Sequence, residues 1–337
     1  MKFQLKPKLF LMYDNSMIID GVGAQIQRIV SIYGVSRLVR VGYLHAPLID
    51  FDPQIFSEST YSERLPDIEK WNSLFRSDLL PYVQTNGDLI FHTNSIGIRR
   101  LEILNFLSRF SKSRIICKMG NPRKITDKFP NILNTALELM SLPIDRSNSA
   151  NENNNFKVVV HIRQGVLALS QFKDRLLPLS HYENVLETVT GILNTFGIQY
   201  QILIPQEVGQ TSRLSIENSH VIQSMALDPD NTQVKVNNDR TVTLIHESQH
   251  LRTTPILCEA QWLEPYSAFS DFEIMLNADL LVISKSSFSF LAGLMNQKAI
   301  KIFAPFWHST PSDWFNAEDI DLDRLIDRIV ELRSSKT

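Results

Sequence analysis

The sequence predicts an α/β protein of two domains, each a Rossmann-like layer of parallel strands and helices. Three observations support this prediction. The chain has 337 residues, which is long for one domain and enough to bury two cores. Short β-branched runs alternate with stretches of helical apolar spacing. A polar segment of low complexity, residues 145–155 (DRSNSANENNN), interrupts this alternation.

These observations divide the chain into three parts. We predict an N-terminal α/β domain over residues 1–150, a C-terminal α/β domain over residues 156–316, and a helix within residues 317–337. Residues 145–155 would form the linker. Two such domains facing each other across a cleft would bind ligands between them, at the carboxyl ends of their strands.

In the first half, strand-like runs alternate with helical ones. The predicted strands are residues 9–13, 38–44, 89–92 and 115–117. Residues 98–110 have helical apolar spacing. A further helix opens after Gly23, with Ile26, Ile29, Val30 and Tyr33 on its inward face.

The second half repeats a strand–helix–strand pattern, which implies a parallel sheet. The predicted strands are residues 156–162, 198–204, 280–283 and 299–304. Ser180 with Glu183, and Ser270 with Glu273, have the spacing of capping boxes at helix starts. The first of these helices buries Val185, Leu186, Val189, Ile192 and Leu193, and Gly197 ends it. A further helix covers residues 288–296, and the last carries Leu322, Leu325, Ile326, Ile329 and Val330 on one stripe.

Composition excludes several classes of function. Lys and Arg total 34 against 36 Asp and Glu, so the net charge of −2 provides no field for nucleic acid. The two cysteines, Cys117 and Cys258, lack metal spacing and favour a reducing compartment, hence the cytoplasm. No apolar run approaches the roughly 18 residues of a membrane span. We expect at most peripheral contact, at the inner face of a membrane.

The segment Gly21-Val22-Gly23-Ala24-Gln25 precedes a helix. Glycines let a ligand approach the backbone there, and the free N–H groups at a helix start attract an anion. A tight turn before a helix is an equally good interpretation of these residues alone.

The segment His161-Ile162-Arg163-Gln164-Gly165 follows a buried strand. An arginine in that position needs a negative partner, and its planar guanidinium matches a phosphate in paired hydrogen bonds. A structural carboxylate would serve as well. His161 is a candidate catalytic residue, although a histidine in such a place is more often structural.

Ser284-Lys285-Ser286-Ser287-Phe288 lies between a strand and a helix. Its hydroxyls and the helix start would form a phosphate cradle, or Ser286 and Ser287 would only cap the helix. His246-Glu247-Ser248-Gln249-His250 matches the zinc-protease pattern H-E-x-x-H, which requires both histidines on one helix face. Residues 241–245 are β-branched and strand-like, and Pro255 follows closely, so we interpret the histidine motif as a polar loop and predict no metal site.

Taken in order, these motifs resemble the fucosyltransferase superfamily, with bacterial alpha-1,2-fucosyltransferases nearest. The segment GVGAQIQRIVSIYG from Gly21 is similar to the family's opening Gly-x-Gly-Asn-Gln loop and helix. VVVHIRQG from Val158 is similar to its His-x-Arg-Arg-Gly-Asp motif. Similar blocks begin at Leu177 (LPLSHYENVL), Asp271 (DFEIMLNADLLVISKSSFSFLAGLMN) and Ala304 (APFWHSTPSDWF).

The resemblance implies a GT-B fold and an inverting transferase that takes a sugar from GDP-fucose and needs no cofactor or metal. A glycan or glycoconjugate would accept the sugar on the N-terminal domain, against which the last helix would pack. Arg163 would bind the β-phosphate, and Asp271 would accept hydrogen bonds from guanine. The donor site would also include Gly21, Gly23, Ala24, Gln25, Ser286, Ser287 and Phe288.

Several positions depart from the family pattern. Ala24 replaces its asparagine, Gln164 its second arginine, and Val166 its acidic residue. These departures leave open a non-catalytic relative that binds a GDP-sugar, or a transferase that uses another GDP-sugar. Asp174 and Glu207 are the candidates for the general base.

Overall fold

A computed structural model of the chain describes residues 8–16, 21–49, 61–79, 83, 85–93, 96–122, 125, 130–140, 155–163, 177–205, 214–215, 232–236, 241–246, 255–263, 267–306 and 310–335. They fall into two compact units, the first ending at Met140 and the second beginning at Asn155. The predicted linker lies outside the described residues, apart from Asn155. No helix among the described residues is long and apolar enough to cross a bilayer.

The first unit contains a four-stranded parallel sheet. Its strands are β1 (Leu9–Tyr13), β2 (Gly42–Tyr43), β3 (Leu89–Thr93) and β4 (Ile115–Met119), in the order β2-β1-β4-β3. Its α-helices are α1 (Val22–Leu38), α2 (Tyr61–Ser73), α3 (Ile98–Ser108) and α4 (Ala136–Leu139), and a 3-10 helix covers Pro130–Thr135. Leu9, Leu11 and Tyr13 are fully covered on one face of β1 and Met12 is 2% exposed on the other, which places this strand inside the unit.

The prediction of a strand over residues 38–44 of this unit is mostly wrong. Residues 38–44 were expected to be extended, but Leu38 ends α1 and only Gly42–Tyr43 forms a strand. Val35 and Val39 are both buried and lie four residues apart, so they continue the helical apolar face. Arg40, with a φ of 57°, then reverses the chain into β2.

The second unit contains two sheets. Its strands are β5 (Phe156–Val160), β6 (Tyr200–Pro205), β7 (Leu214–Ser215), β8 (Thr232–Val236), β9 (Thr241–His246), β10 (Gln261–Leu263), β11 (Leu280–Ile283), β12 (Ile300–Phe303) and β13 (Phe315–Asn316). Its helices are α5 (Leu179–Thr195), α6 (Pro255–Glu259), α7 (Ala268–Leu276), α8 (Ser287–Met295) and α9 (Leu322–Ser334). Strands β7, β9 and β8 form a small antiparallel sheet, of which the sequence indicated only the strand-like residues 241–245 in β9.

The larger sheet is parallel and has the order β10-β6-β5-β11-β12-β13. Counted along this sheet alone, the order is 3-2-1-4-5-6, which is that of a doubly wound Rossmann fold. The α/β class and the two Rossmann-like domains are therefore confirmed. In such sheets a ligand binds where the strand order reverses, which here is between β5 and β11.

The core of this unit follows the predicted apolar pattern. Val185, Leu186, Val189, Ile192 and Leu193 of α5 all pack into one cluster with β5, β6 and β11. Strand β5 contributes Val158 and Val160, both with no exposed surface. Gly197, at a φ of 61°, ends α5 in the left-handed conformation that glycine adopts most easily.

Two helix starts differ from the predicted capping boxes. Pro178 is the N-cap of α5 and makes no side-chain hydrogen bond. Its ring holds φ at −63°, a value that suits the entry into a helix. Ser180 and Glu183 thus lie inside the helix. Helix α7 is capped by Ser267, whose Oγ accepts from Ser270 N at 3.2 Å, so Ser270 is the donor and not the cap.

The last helix packs in the second unit, where its apolar face joins the core. Leu325 and Ile329 are fully buried in the same cluster as Phe315 and Ile302. The expectation that the last helix packs against the N-terminal domain stays a prediction. Leu322 and Val330, although apolar, are 51% and 40% exposed, since the buried stripe is narrower than predicted.

Candidate functional site

Two loops leave the carboxyl edge of the larger sheet side by side. β5 ends at Val160, which is in register with Val282 of the neighbouring strand β11. The backbone N–H of His161 continues this pairing by donating to the Val282 carbonyl at 3.1 Å. The residues after both strands, 161–163 and 284–286, are therefore held together at the reversal of the strand order.

A hydrogen bond joins these loops through Arg163. Its Nη1 donates to Ser286 Oγ at 2.9 Å, and the same Oγ accepts from Phe288 N at 3.3 Å as the cap of α8. The guanidinium is thus fixed beside the first turn of a nine-residue helix. The sequence predicted both residues for one site, and the structure brings them into contact.

The charge of Arg163 is not balanced by a carboxylate among the described residues. Its Nε is buried and has no hydrogen-bond partner within that part of the chain. The first turn of α8 carries a partial positive charge as well. Lys285, half-buried in the same loop, adds another cationic group. A half-buried guanidinium beside a helix start is suited to bind an anion in paired hydrogen bonds.

The buried side chain of His161 contacts the loop after β11 and the start of α8. Its side chain is only 3% exposed, Nδ1 lies 2.6 Å from Ser284 Oγ, and its ring is 5.8 Å from that of Phe288. Burial, and then the charge of Arg163, lower the pKa of His161 to about 3. A neutral, enclosed imidazole of this kind suits a positioning role more than contact with substrate.

Asp271 lies near the start of α7, at the same edge of the sheet. After the end of α7, the chain enters β11 just beyond Asp279. The N–H of Asp279 donates to the carbonyl of Lys157, near the beginning of β5, so α7 ends at the amino edge of the sheet. The start of α7 is therefore at the opposite, carboxyl edge. The ring of Phe272 confirms this by packing 5.7 Å from Phe288. Half-buried Asp271 immediately precedes Phe272 in the first turn of α7.

The remaining predicted donor residues lie at the start of α1 in the first unit. Gly21 caps the helix without a side-chain bond, Gln25 is buried, and Gly23 and Ala24 lie between them. Gly21 has a φ of −62°, and an added Cβ would meet no atom of the described residues within 4 Å. Neither the backbone conformation nor packing within that part of the chain therefore requires a glycine there.

Several predicted residues lie outside the described residues. These are Asp174, Glu207, Gln164 and Val166. His246 is the last residue of β9 and pairs with Thr232, so it belongs to a strand and not to the helix that a zinc-protease motif requires. His250 lies outside the described residues. Within them, no group of three or more His, Cys, Asp or Glu side chains could hold a metal ion.

Sequence reasoning missed a second polar pair, in the first unit. Asp14 follows β1 directly and is 2% exposed, and its Oδ2 lies 2.7 Å from Nδ1 of His92 on β3. Ser16 donates to Oδ1 through Oγ at 2.6 Å and through its N–H at 3.3 Å. Burial raises the pKa of Asp14, but the bonds from Ser16 and His92 outweigh it and lower that pKa overall. A carboxylate immediately after a buried strand was the available signal.

Comparisons with known proteins give structural likenesses only. No protein-family model matches the sequence, and no curated protein matches it. The ADP-heptose lipopolysaccharide heptosyltransferase II of E. coli is 9% identical, with 96% of this chain and 98% of that chain covered and a TM-score of 0.39. POFUT1 in complex with GDP is 13% identical, with 88% and 98% covered and a TM-score of 0.43. The iron-containing dodecameric glycosyltransferase TibC of enterotoxigenic E. coli is 9% identical, with 99% and 78% covered and a TM-score of 0.37.

Proposed function

We propose that this protein is a glycosyltransferase that moves a sugar from a GDP-sugar to a hydroxyl of a glycan or glycoconjugate. Fucose is the leading candidate for the sugar. The observation that carries the proposal is the contact between Arg163 and Ser286, which holds a guanidinium beside the start of α8 where the strand order reverses. A diphosphate fits both groups, because its oxygens accept from the guanidinium and from the free N–H groups of the helix.

The same groups would lower the barrier of the transfer step. The acceptor oxygen attacks the anomeric carbon from the face opposite the diphosphate, which inverts that centre. The bond from this carbon to the β-phosphate oxygen breaks, and its electron pair stays on GDP. Arg163 and the helix start stabilise this developing charge in place of a metal ion, so we propose that the reaction needs no metal and no cofactor.

The nucleotide would be selected at the start of α7. The carboxylate of Asp271 can accept two N–H bonds from the Watson–Crick edge of guanine, a pair that adenine and uracil do not present. We also assign Ser287 and Phe288, the first two residues of α8, to the donor site. We also assign Gly21, Gly23, Ala24 and Gln25, at the start of α1, to the donor site.

We also propose a cytoplasmic location, with at most peripheral contact with a membrane. Cys117 is free and buried in β4, which is usual for a protein kept under reducing conditions. The partners that follow from the proposed reaction are a nucleotide-sugar donor and a glycan or glycoconjugate acceptor, and not a nucleic acid.

A panel of nucleotide sugars tests the proposal. GDP-fucose, GDP-mannose, an ADP-sugar and a UDP-sugar are each added to the purified chain, and thermal unfolding is followed. A GDP-sugar at about 100 times its Kd should add about 2.7 kcal/mol of stability. GDP release from the donor is then measured with water as acceptor. Stabilisation by none of the nucleotides would contradict the proposal.

Release of GDP separates the transferase from the second candidate function, a non-catalytic protein that binds a GDP-sugar. Gln164 and Val166, which replace an arginine and an acidic residue of the fucosyltransferase pattern, favour that candidate. Binding without any release of GDP, over hours and with glycan mixtures present, would establish it.

A further inference from the structure

Helix α3 of the first unit packs through one face and leaves an apolar stripe on the other. On the packed face, Leu101 and Ser108 are buried, and Asn105 Nδ2 donates to the Val39 carbonyl at 3.4 Å. The exposed stripe consists of four large apolar side chains, which are Ile103 (58% exposed), Phe106 (56%), Leu107 (53%) and Phe110 (74%). The helix is therefore held in its unit by residues other than these four.

The stripe is one continuous helical surface. Its other three members lie three, four and seven residues after Ile103, which is the spacing of one helix face. The Phe110 N–H donates to the Leu107 carbonyl at 3.1 Å, so the turn continues past the end of α3. The rings of Phe106 and Phe110 pack edge to face, with their centroids 5.4 Å apart. Single exposed apolar residues are common on proteins, but a contiguous group of four marks a surface that contacts a partner or a membrane.

Basic side chains accompany the stripe. Residues 98–112 contain four cations and one carboxylate, whereas the whole chain has 34 Lys and Arg against 36 Asp and Glu. All four cations are exposed, and none of them forms an ion pair with another described residue; they are Arg99, Arg100, Arg109 and Lys112. Arg99 and Arg100 lie four and three residues before Ile103, so they extend the same face toward the helix start. The surface thus combines apolar rings with cations that are open to a negatively charged partner.

We propose that α3 is an interfacial helix that binds the protein to the surface of a membrane containing anionic phospholipids. Its axis lies in the plane of the membrane, with Phe106 and Phe110 between the headgroups. The guanidiniums of Arg99 and Arg100 reach the lipid phosphates, while their methylene stems cover apolar surface. An anionic bilayer provides both phosphates for the cations and acyl chains for the rings. The inference does not rest on the proposed function, because lipid binding needs no GDP-sugar.

Flotation of the full chain with two kinds of vesicle tests the proposal. One kind is phosphatidylcholine alone, and the other is an equimolar mixture of phosphatidylcholine and phosphatidylglycerol. The mixed vesicles should bind the protein at least about tenfold more tightly, since each cation near an anionic surface contributes about fivefold in affinity. Added salt should weaken this binding, because it screens the attraction between the cations and the headgroups.

Two double variants separate the rings from the cations. Phe106→Ala with Phe110→Ala should lower the affinity for mixed vesicles at least about tenfold, because two half-exposed rings no longer enter the interface. Phe106→Trp with Phe110→Trp should keep it. The matched control is Phe196→Ala, since Phe196 is 49% exposed at the end of α5 and outside the stripe.

The charge variant is Arg99→Glu with Arg100→Glu. It should lower the affinity for mixed vesicles at least about tenfold and the affinity for phosphatidylcholine vesicles much less. Its control is Lys298→Glu with Arg328→Glu, which makes the same change in net charge at exposed residues of the second unit. Thermal unfolding and oligomeric state are measured for every variant without vesicles.

Several outcomes would overturn the inference. The wild type would bind neither kind of vesicle, or both equally, or the variants of α3 would bind as well as their controls. Lower thermal stability of the alanine variant would show that the rings pack inside the protein, and a smaller oligomer would show that they join copies of the chain. Vesicle binding without any binding of GDP-sugars would contradict the transferase and leave this inference intact.

Discussion

Replacement of Arg163 is the perturbation that tests the site most directly. The guanidinium donates one hydrogen bond, from Nη1 to Ser286 Oγ at 2.9 Å, which fixes the fork beside α8. Its buried Nε has no hydrogen-bond partner among the described residues. We expect Arg163→Ala to remove a preorganised charged donor from the leaving group.

The magnitude follows from two contributions. Removing one preorganised donor of this kind costs about 2.7–4 kcal/mol of transition-state stabilisation, or roughly 10²–10³ in rate. The bond to Ser286 contributes about 0.5–1.5 kcal/mol, mainly by holding the guanidinium in place. Ser286→Ala should therefore lower the rate by about tenfold or less, while Arg163 itself remains. GDP affinity should change less than turnover, because the charge on the β-phosphate grows as the bond breaks.

Arg163→Lys distinguishes geometry from charge. An ammonium group keeps the positive charge but cannot contact Ser286 and a pair of phosphate oxygens at once. We expect its rate to lie within about tenfold of the alanine variant, since paired contacts are lost in both. The assay is GDP release from GDP-fucose, with GDP affinity measured by calorimetry.

Arg328→Ala is the matched control, because Arg328 is an exposed arginine of α9 that pairs with Glu331 away from the sheet edge. It should retain full turnover. A lysine variant that keeps most of the wild-type rate would refute the bidentate role of Arg163. An alanine variant with unchanged turnover would remove it from the site altogether.

Three further predictions concern selectivity and stability. GDP should bind at least about tenfold more tightly than ADP or UDP, because guanine presents a pair of N–H donors to the Asp271 carboxylate and adenine and uracil do not; calorimetry of the Asp271→Ala variant checks this, since persistent GDP preference would exclude Asp271. Burial lowers the pKa of His161 from 6.5 to about 3, so the unfolded chain binds protons more tightly between these values and stability falls as pH drops below about 6.5. As pH falls, the free energy of unfolding of His161→Gln, measured with urea, should decrease by up to about 1.4 kcal/mol per pH unit less than that of the wild type. Parallel pH profiles would contradict this, because His45, whose pKa burial lowers to about 4, is present in both proteins. Ile329→Ala should cost about 2–5 kcal/mol and Val330→Ala less than about 1, as judged by denaturant midpoints, because only Ile329 is enclosed. Equal effects would mean that α9 does not pack as described.

The strands that the sequence predicted well are those buried on both faces. Leu280–Ile283 was predicted to the residue, because four consecutive apolar residues are buried between two neighbouring strands. Local patterns were less reliable where the same spacing fits two structures. Val35 and Val39 belong to a helical face, although the residues after them alternate as a strand would.

The contacts of the candidate sites could not be predicted from local sequence. Arg163 and Ser286 are separated by 123 residues, as are His161 and Ser284, and Asp14 and His92 by 78. A motif indicates that a residue can bind an anion, but only the strand order shows which loops meet. The order of the larger sheet places β11 beside β5, and so it determines the partner of Arg163.

The crossover from β6 to β10 offers a place to re-engineer the chain. Parallel neighbours need a connection of about a dozen residues, yet this one runs from residue 206 to residue 260 and includes the antiparallel sheet of β7, β9 and β8. β6 pairs with β5, so the crossover begins at the carboxyl edge of the sheet, on the strand next to the one that ends before Arg163, and it contains the candidate base Glu207. A reporter domain inserted between β8 and β9 would change the size of the protein without removing that residue.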